Sequence, residues 1–219
     1  MREQTIEWIQ REKLIAIVRG VEGDSCVRVA QALYEGGVRL MELPYDQRRP
    51  ESWERTAQAI ADISEEFAGR ILIGAGTVLS PELAELSCAH KGRFIVSPDT
   101  NAQVIRRTVE LGLVSVPGAM TPSEILAAHR AGADFVKLFP ASQLGPGYLK
   151  AICAPISHVR LMAMGGVTES NAAQFLKAGA VGLGVGGNFA NRGWIEAGEY
   201  YKLTAAAAAM VAAIQAAQT

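Results

Sequence analysis

The sequence has few of the features that mark secreted, membrane-spanning or cysteine-rich metal proteins. Three cysteines, Cys26, Cys88 and Cys153, are spread over 219 residues, which predicts neither a disulfide framework nor a zinc site. No run reaches about 18 uninterrupted apolar residues, and the first residues lack the apolar segment of a signal peptide. We therefore expect a cytoplasmic protein without a membrane partner.

The sequence also lacks an excess of charge of either sign and is poor in aromatic residues. Lys and Arg total 21 against 22 Asp and Glu, a formal net charge of −1, so nothing in the overall charge favours nucleic acid as a partner. Aromatic residues make up 6% of a chain that is 49% hydrophobic, which indicates a globular protein with an aliphatic core. We therefore expect neither nucleic acid nor an anionic membrane as a partner.

Glycine, in contrast, is abundant. It accounts for 22 of the 219 residues, about a tenth of the chain, against an average usage of about 7%. Glycine is tolerated mainly where the backbone turns or where it approaches a ligand closely. Some of the glycines follow helical segments and are predicted to end them: Gly36, Gly37, Gly112, Gly132 and Gly179. The remaining glycines require another explanation, which depends on the fold.

Eight short runs rich in Val, Ile and Leu alternate with segments of helical periodicity. The predicted strands are Leu14–Arg19, Val38–Leu43, Ile71–Gly74, Phe94–Ser97, Leu113–Val116, Asp134–Leu138, Val159–Ala163 and Val181–Val185. The predicted helices are Asp24–Glu35, Glu51–Phe67, Pro81–His90, Asn101–Leu111, Pro122–Ala131, Gly147–Ile152, Glu169–Ala178 and Tyr200–Gln218.

Strands that are apolar on both faces and alternate with helices are typical of a parallel sheet covered by helices. The pattern predicts an α/β protein, a (β/α)₈ TIM barrel that forms a single domain over residues 1–219. Residues 3–12 would form an extra N-terminal helix that closes the bottom of the barrel. An open, doubly wound sheet is the structural alternative.

The active site of such a barrel forms at the carboxyl ends of its strands. His90, His129 and His158 each precede a predicted strand and so belong to the opposite face, which disfavours a metal held by histidines. We therefore expect no metal.

Lys137 is the one lysine inside a predicted core strand. If it shares the inward face with Phe135, burial lowers the pKa of its ammonium group, and a neutral amine can form a Schiff base with a carbonyl carbon. The alternative is a strand-end lysine that pairs with a carboxylate or reaches water.

Glu42 alternates with Val38 and Leu40 on one face of the second predicted strand. A carboxylate at the top of a barrel strand and near a lysine can transfer protons to and from a bound intermediate. A plain Glu42–Lys137 ion pair is the alternative.

Two glycine pairs and a threonine follow other strands. Gly165-Gly166 and Gly186-Gly187 fall where many barrels bind phosphate through backbone N–H groups, although close packing would also explain them. Thr77 could hold a small carboxylate, and a role near the helix start at Ser80 is the alternative. Together with Lys137 and Glu42, these residues suggest a site for a phosphorylated keto compound.

The chain resembles, along nearly its whole length, the family of 2-keto-3-deoxy-6-phosphogluconate (KDPG) and 4-hydroxy-2-oxoglutarate (KHG) aldolases. The matching motifs are Met41-Glu-Leu-Pro44, Gly74-Ala-Gly-Thr-Val-Leu79, Ser97-Pro98, Pro117-Gly118, Val136-Lys-Leu-Phe-Pro-Ala141 and Gly165-Gly-Val167. Two further segments resemble the 2-dehydro-3-deoxy-6-phosphogalactonate branch: Ile15–Gly20 and Leu144–Lys150.

The resemblance implies a class I aldolase that works without a cofactor and assembles as a homotrimer. It implies that Lys137 forms the Schiff base with a keto acid and that Glu42 transfers protons, with pyruvate and glyceraldehyde 3-phosphate as products. It also implies a set of residues that contact the substrate, with Thr77 at the carboxylate and the last three glycines at the phosphate: Arg19, Thr77, Pro98, Met164, Gly165, Gly166, Gly186 and Gly187.

Three departures from the gluconate-type pattern leave the substrate open. Asp46 replaces an arginine, Met164 replaces a threonine, and Gly187 replaces a serine of the phosphate pocket. A non-phosphorylated 2-keto acid such as 4-hydroxy-2-oxoglutarate is therefore an alternative substrate. A non-catalytic phosphate-binding barrel and a sugar-phosphate isomerase or epimerase would also be compatible with the glycine pairs.

Overall fold

Short strands alternate with helices throughout the computed structural model, which describes residues 1–218. Within these residues the strands are β1 (Leu14–Ile17), β2 (Leu40–Pro44), β3 (Leu72–Gly76), β4 (Phe94–Val96), β5 (Val114–Val116), β6 (Gly118–Ala119), β7 (Val136–Leu138), β8 (Leu161–Met164) and β9 (Gly182–Val185). The α-helices are α1 (Arg2–Glu12), α2 (Asp24–Glu35), α3 (Trp53–Phe67), α4 (Pro81–Ala89), α5 (Ala102–Glu110), α6 (Pro122–Ala131), α7 (Ala141–Cys153), α8 (Ala172–Lys177), α9 (Arg192–Glu196) and α10 (Tyr200–Ala216). Short 3₁₀ helices lie at Pro50–Ser52 and Gly187–Ala190.

The strands form one parallel sheet that curves into a barrel. Their order is β5-β4-β3-β2-β1-β9-β8-β7-β6, and the two end strands are separated in the chain only by Pro117, which has no N–H to donate. Backbone hydrogen bonds from Phe135 to Ser115 (3.2 Å) and from Lys137 to Pro117 (2.8 Å) join β7 to this segment. β5 and β6 are thus one interrupted strand. The predicted (β/α)₈ barrel is confirmed, and the open sheet is wrong.

Side-chain alternation along the strands separates two hydrophobic layers. Leu40 belongs to a cluster made almost entirely of strand residues, which fills the barrel interior together with Ile15, Phe94, Phe135, Met162 and Met164. Met41 and Leu43 belong to the larger cluster that includes the buried faces of the helices. Glu42 lies between these two residues and therefore points into the barrel with Leu40.

Helix α1 closes the barrel at the amino ends of its strands. Ile9 is fully buried in the interior cluster, as the predicted closing helix requires. The guanidinium of Arg2 donates two hydrogen bonds to Asp134, of 2.8 and 3.2 Å, and this carboxylate also accepts from the Ser115 backbone N–H at 3.0 Å. A charged clamp therefore attaches α1 to the chain just before β7.

Several predicted boundaries differ from the observed ones. β1 ends at Ile17, so Arg19 lies in the loop that follows it. β2 begins at Leu40, and Val38 packs in the outer layer rather than beside Glu42. Helix α7 begins six residues before the predicted start and is interrupted at Gly145 (φ 79°, ψ 163°), while α9 was not predicted. No helix in residues 1–218 is long and apolar enough to cross a membrane.

Candidate active site

Lys137 lies at the centre of β7 and points into the barrel. Its neighbours Val136 and Leu138 pack in the outer layer and Phe135 packs inside, so alternation directs Lys137 inward. The side chain is 8% exposed, and its Nζ lies 4.7 Å from the centre of the Phe139 ring. Lys137 therefore occupies the inward position that the sequence predicts.

The surroundings of Lys137 favour the neutral amine. Burial lowers the pKa of its ammonium group, Glu42 acts in the opposite direction, and the positive charge of Arg19 lowers the pKa further. A lowered lysine pKa raises the fraction of nucleophile at neutral pH, which is the property that Schiff-base formation needs.

Glu42 lies on β2 and is 2% exposed. Its Oε2 is buried without a hydrogen-bond partner anywhere in residues 1–218. Burial raises the pKa of the Glu42 carboxyl to about 7, although Lys137 and Arg19 both act to lower it. A carboxyl group with a pKa near the working pH can both donate and accept a proton.

Glu42 and Lys137 are the only charged residues in residues 1–218 that are buried when the whole residue is considered. The Asp134 side chain is also 8% exposed, but it is paired with Arg2. Over the same residues, no ion pair within 4.0 Å joins Glu42 to Lys137. The two groups interact electrostatically in one buried interior without forming the plain ion pair that was the alternative.

Thr77 and Arg19 meet at the rim of the barrel. An Nη of Arg19 donates to the Thr77 hydroxyl at 3.1 Å, and the Gln47 amide donates to the Thr77 carbonyl at 2.8 Å. Thr77 adopts a left-handed backbone conformation, with φ of 54°, which is unfavourable for a β-branched residue. The two hydrogen bonds hold this residue at the carboxyl end of β3.

A cleft of about 470 Å³ opens beside these residues, at the ends of β1, β2 and β3, and we call it the arginine cleft. Four arginines line it: Arg19, Arg48, Arg49 and Arg192. Arg49 is neutralised by Asp46 at 3.0 Å and by Glu22 at 2.5 Å. The other three arginines have no carboxylate within 4.0 Å among the described residues, which leaves a positive edge suited to an anionic ligand.

The two glycine pairs occupy different surroundings. Gly186 and Gly187 line a second cleft of about 390 Å³, which we call the glycine cleft. Gly165 and Gly166 instead pack against the chain that follows β7. A Cβ on Gly166 would lie 2.1 Å from the Ser142 hydroxyl, and one on Gly165 would lie 3.0 Å from the Phe139 ring. The first pair is closely packed, whereas a Cβ on Gly187 would meet open space, and contact of either pair with a ligand stays a prediction.

Pro98 and Met164 border the barrel rather than these two clefts. Met164 is fully buried in the interior layer, where its side chain fills the space that a Cβ on Gly184 would need. The Pro98 carbonyl lies against Gly118, 2.3 Å from where a Cβ would stand. Their contact with a substrate stays a prediction.

The three histidines lie at the opposite end of the barrel. His90 ends α4, His129 lies in α6, and His158 precedes β8, with the rings of His129 and His158 5.1 Å apart. Over residues 1–218, no group of three His, Cys, Asp or Glu side chains is arranged to hold a metal ion.

Arg192 and Gln47 are site residues that the sequence did not reveal. Arg192 approaches Gly20, which lies 172 positions earlier in the chain, and Gln47 approaches Thr77 from a loop of unremarkable composition. Neither lies in a recognisable motif. Only the closure of the barrel, which brings the first and last strands together, could have indicated Arg192.

Residues 5–206 match the family described as Aldolase: KDPG and KHG aldolase. The 2-dehydro-3-deoxy-6-phosphogalactonate aldolase of Escherichia coli strain K12 is 37% identical over 193 residues, which cover 86% of this chain and 89% of the relative. A probable enzyme of the same name from Rhizobium meliloti strain 1021 is 40% identical over 174 residues, with 79% of each chain covered. The native KDPGal structure superimposes with a TM-score of 0.84 at 36% identity, covering 94% of this chain and 95% of that one.

Proposed function

The chain belongs to the family of KDPG and KHG aldolases, and from this premise we propose the reaction and its residues. The protein is a class I aldolase that cleaves a 2-keto-3-deoxy-6-phospho sugar acid of the phosphogluconate or phosphogalactonate type. The products are pyruvate and glyceraldehyde 3-phosphate. The observation that carries the assignment is the burial of one lysine and one glutamate, Lys137 and Glu42, inside the same barrel.

The reaction begins when the neutral Nζ of Lys137 attacks the C2 carbonyl of the keto acid. One proton passes from the attacking nitrogen to the former carbonyl oxygen, which gives a carbinolamine. Protonated Glu42 then gives its proton to this hydroxyl, which leaves as water and generates an iminium ion. The iminium nitrogen accepts the electron pair of the C3–C4 bond as that bond breaks, while the C4 hydroxyl gives its proton to the Glu42 carboxylate. An aldehyde and an enamine result.

The second half of the reaction restores the enzyme. C3 of the enamine takes a proton from Glu42, and the iminium of pyruvate re-forms. Water adds to this iminium and gives one proton to the Glu42 carboxylate. The proton of the new hydroxyl then passes to the nitrogen as the C–N bond breaks, so that pyruvate leaves, Lys137 is again a neutral amine and Glu42 is again protonated. The pKa of about 7 suits Glu42 to giving and taking protons in successive steps.

The remaining predicted residues bind the two ends of the substrate. Thr77 holds the carboxylate next to C2, and Arg19 reaches the same end through its contact with the Thr77 hydroxyl. The phosphate lies toward Gly166, Gly186 and Gly187, the last two of which line the glycine cleft.

Borohydride reduction in the presence of pyruvate tests the proposal directly. Wild-type protein should acquire one reduced pyruvate adduct that peptide mass mapping places on Lys137, and Lys137→Ala should acquire none there. The exposed Lys91, paired with Glu65, is an internal control for non-specific reaction. Absence of the adduct on Lys137 would refute the Schiff-base mechanism.

A panel of substrates tests the second part of the assignment. Pyruvate release should be fastest from the phosphorylated gluconate or galactonate epimer. Gly187 supplies no side chain at the proposed phosphate end, and this observation favours a non-phosphorylated acid such as 4-hydroxy-2-oxoglutarate as the second candidate. Faster release from that acid would reassign the substrate while leaving the role of Lys137 intact.

We also propose a cytoplasmic homotrimer. Support for assembly comes from the family and from exposed apolar side chains in three loops: Leu79, Met120 and Phe139. Free cysteines at 26, 88 and 153 suit a reducing compartment. Light scattering on the purified protein measures the subunit number, and a monomer would contradict the trimer. Fractionation of the source cells tests the location.

A further inference from the structure

Arg192 stands between the arginine cleft and the glycine cleft. It lines both, together with Arg19 and Gly20, so the two clefts share one wall. Its Nη2 lies 3.4 Å from the Gly20 carbonyl, and a Cβ on Gly20 would come within 3.1 Å of the same nitrogen. The Arg192 guanidinium therefore connects the loop after β9 to the loop after β1.

The local chain fixes where this side chain begins. Arg192 is the first residue of α9, immediately after Asn191, whose side-chain oxygen accepts a hydrogen bond from the Trp194 N–H at 3.2 Å. The preceding 3₁₀ helix starts at Gly187, so Arg192 lies five residues beyond the proposed phosphate glycine. Sequence and fold together place a cation beside the glycine cleft.

The guanidinium of Arg192 is available for an anion. No carboxylate lies within 4.0 Å of it among residues 1–218, and its contact with the Gly20 carbonyl is long. Arg49, which lines the arginine cleft as well, is by contrast already paired with Asp46 and Glu22. Arginine binds phosphate with two parallel hydrogen bonds and keeps its charge at every accessible pH.

We propose that Arg192 is the side chain that makes this enzyme select a phosphorylated substrate, by binding the phosphate at the glycine cleft. This inference rests on the proposed function and deepens it. Backbone N–H groups at Gly186 and Gly187 supply neutral donors, and Arg192 supplies the charge. Because Gly187 has no side chain, the Arg192 guanidinium has room to reach a phosphate bound in the glycine cleft.

The experiment compares two substrates that differ only in the phosphate, a 2-keto-3-deoxy-6-phospho sugar acid and the corresponding unphosphorylated acid. In Arg192→Ala, kcat/KM for the phosphorylated acid should fall about 10- to 100-fold, mostly through KM, as expected for loss of a charge-assisted contact. The value for the unphosphorylated acid should change less than about 3-fold. Arg192→Lys should recover part of the loss. Arg130→Ala, an exposed arginine on α6, is the matched control.

Inorganic phosphate provides a second readout. It should compete with the phosphorylated substrate in the wild-type enzyme and lose most of that inhibition in Arg192→Ala. Equal losses on both substrates, or no loss on either, would overturn the role of Arg192. Pyruvate trapping on Lys137 needs no phosphate, so normal trapping in Arg192→Ala separates failure of this inference from failure of the aldolase assignment.

Discussion

The carboxylate of Glu42 lies directly against the backbone of Gly76, so closely that a Cβ at position 76 would stand 2.1 Å from Oε2 and 2.6 Å from Cδ. Two neighbouring strands, β2 and β3, thus place this carboxylate, the proposed proton-transfer group, in a space that exists because residue 76 has no side chain. The backbone of β3 therefore sets the position of the Glu42 carboxylate.

Gly76→Ala should disable catalysis without unfolding the barrel. The added methyl group must displace the Glu42 carboxylate, and loss of a positioned acid–base group typically costs 10²–10⁴-fold in rate, so we expect kcat to fall by about 100-fold or more. Gly147→Ala is the matched control, because a Cβ there would meet nothing within 4 Å. Steady-state kinetics with a thermal melt separate the two effects, and a Gly76→Ala variant with normal kcat would contradict the placement.

The rate of pyruvate adduct formation should report the pKa of Lys137. The rate should rise as the amine loses its proton, with a midpoint below pH 10.5, the ordinary value, because burial lowers this pKa. It should fall as the Glu42 carboxyl, whose pKa is about 7, loses the proton that iminium formation needs. In Glu42→Gln the midpoint should move to still lower pH, since the Glu42 carboxylate raises the pKa of Lys137 in the wild-type protein. A midpoint that stays in place or rises would show that the two groups are not coupled.

Glu42→Gln should also change how stability depends on pH. The carboxyl pKa rises from 4.5 to about 7 on folding, so the folded chain binds this proton more tightly than the unfolded chain does. That contribution to stability is complete below about pH 4.5 and is lost as the pH rises through about 7. Wild-type protein should therefore lose stability relative to Glu42→Gln over this range.

The size of this change in the free energy of unfolding follows from the pKa shift of Glu42. It amounts to about 3 kcal/mol, and the shift already includes the opposing effects of Lys137 and Arg19. Urea denaturation at pH 5 and pH 8 measures it, with the exposed Glu7→Gln as control. A Glu42→Gln variant whose relative stability is the same at both pH values would disprove burial of an ionisable carboxyl.

Arg2→Ala should destabilise the fold and spare the chemistry. The Asp134 side chain is 8% exposed and would lose its cationic partner, which should lower the free energy of unfolding by about 1–3 kcal/mol. Arg11→Ala in the same helix removes an exposed pair with Glu12 and should cost less than about 1 kcal/mol. Urea denaturation compares the two variants, and kcat should stay within about two-fold of wild type in both. Equal destabilisation of the two variants would show that the Arg2–Asp134 pair adds no more stability than an exposed ion pair.

Much of the barrel could be predicted because parallel strands buried on both faces leave short, continuous apolar runs in the sequence. The inward positions of Glu42 and Lys137 followed from alternation within such runs. Val38 was assigned to the wrong layer because the strand begins two residues later, and alternation holds only inside a strand. The break at Pro117 left the prediction intact because hydrogen bonds from β7 bridge it.

The rest of the site depends on contacts between distant parts of the chain. Arg192 meets Gly20 only because the last strand pairs with the first, and no local pattern encodes that distance. Met164 ends β8 as predicted, but only the structure shows that its side chain packs in the barrel interior against Gly184. Side-chain reach and register are tertiary properties, which composition and spacing do not specify.

Helix α1 leaves the barrel interior open only at the carboxyl ends of the strands. Because Ile9 fills the far end, substrate, protons and water all reach Lys137 from the side where the clefts lie. Both products therefore leave by the same opening. In the proposed mechanism the covalent bond to Lys137 holds pyruvate there until the aldehyde has left through it.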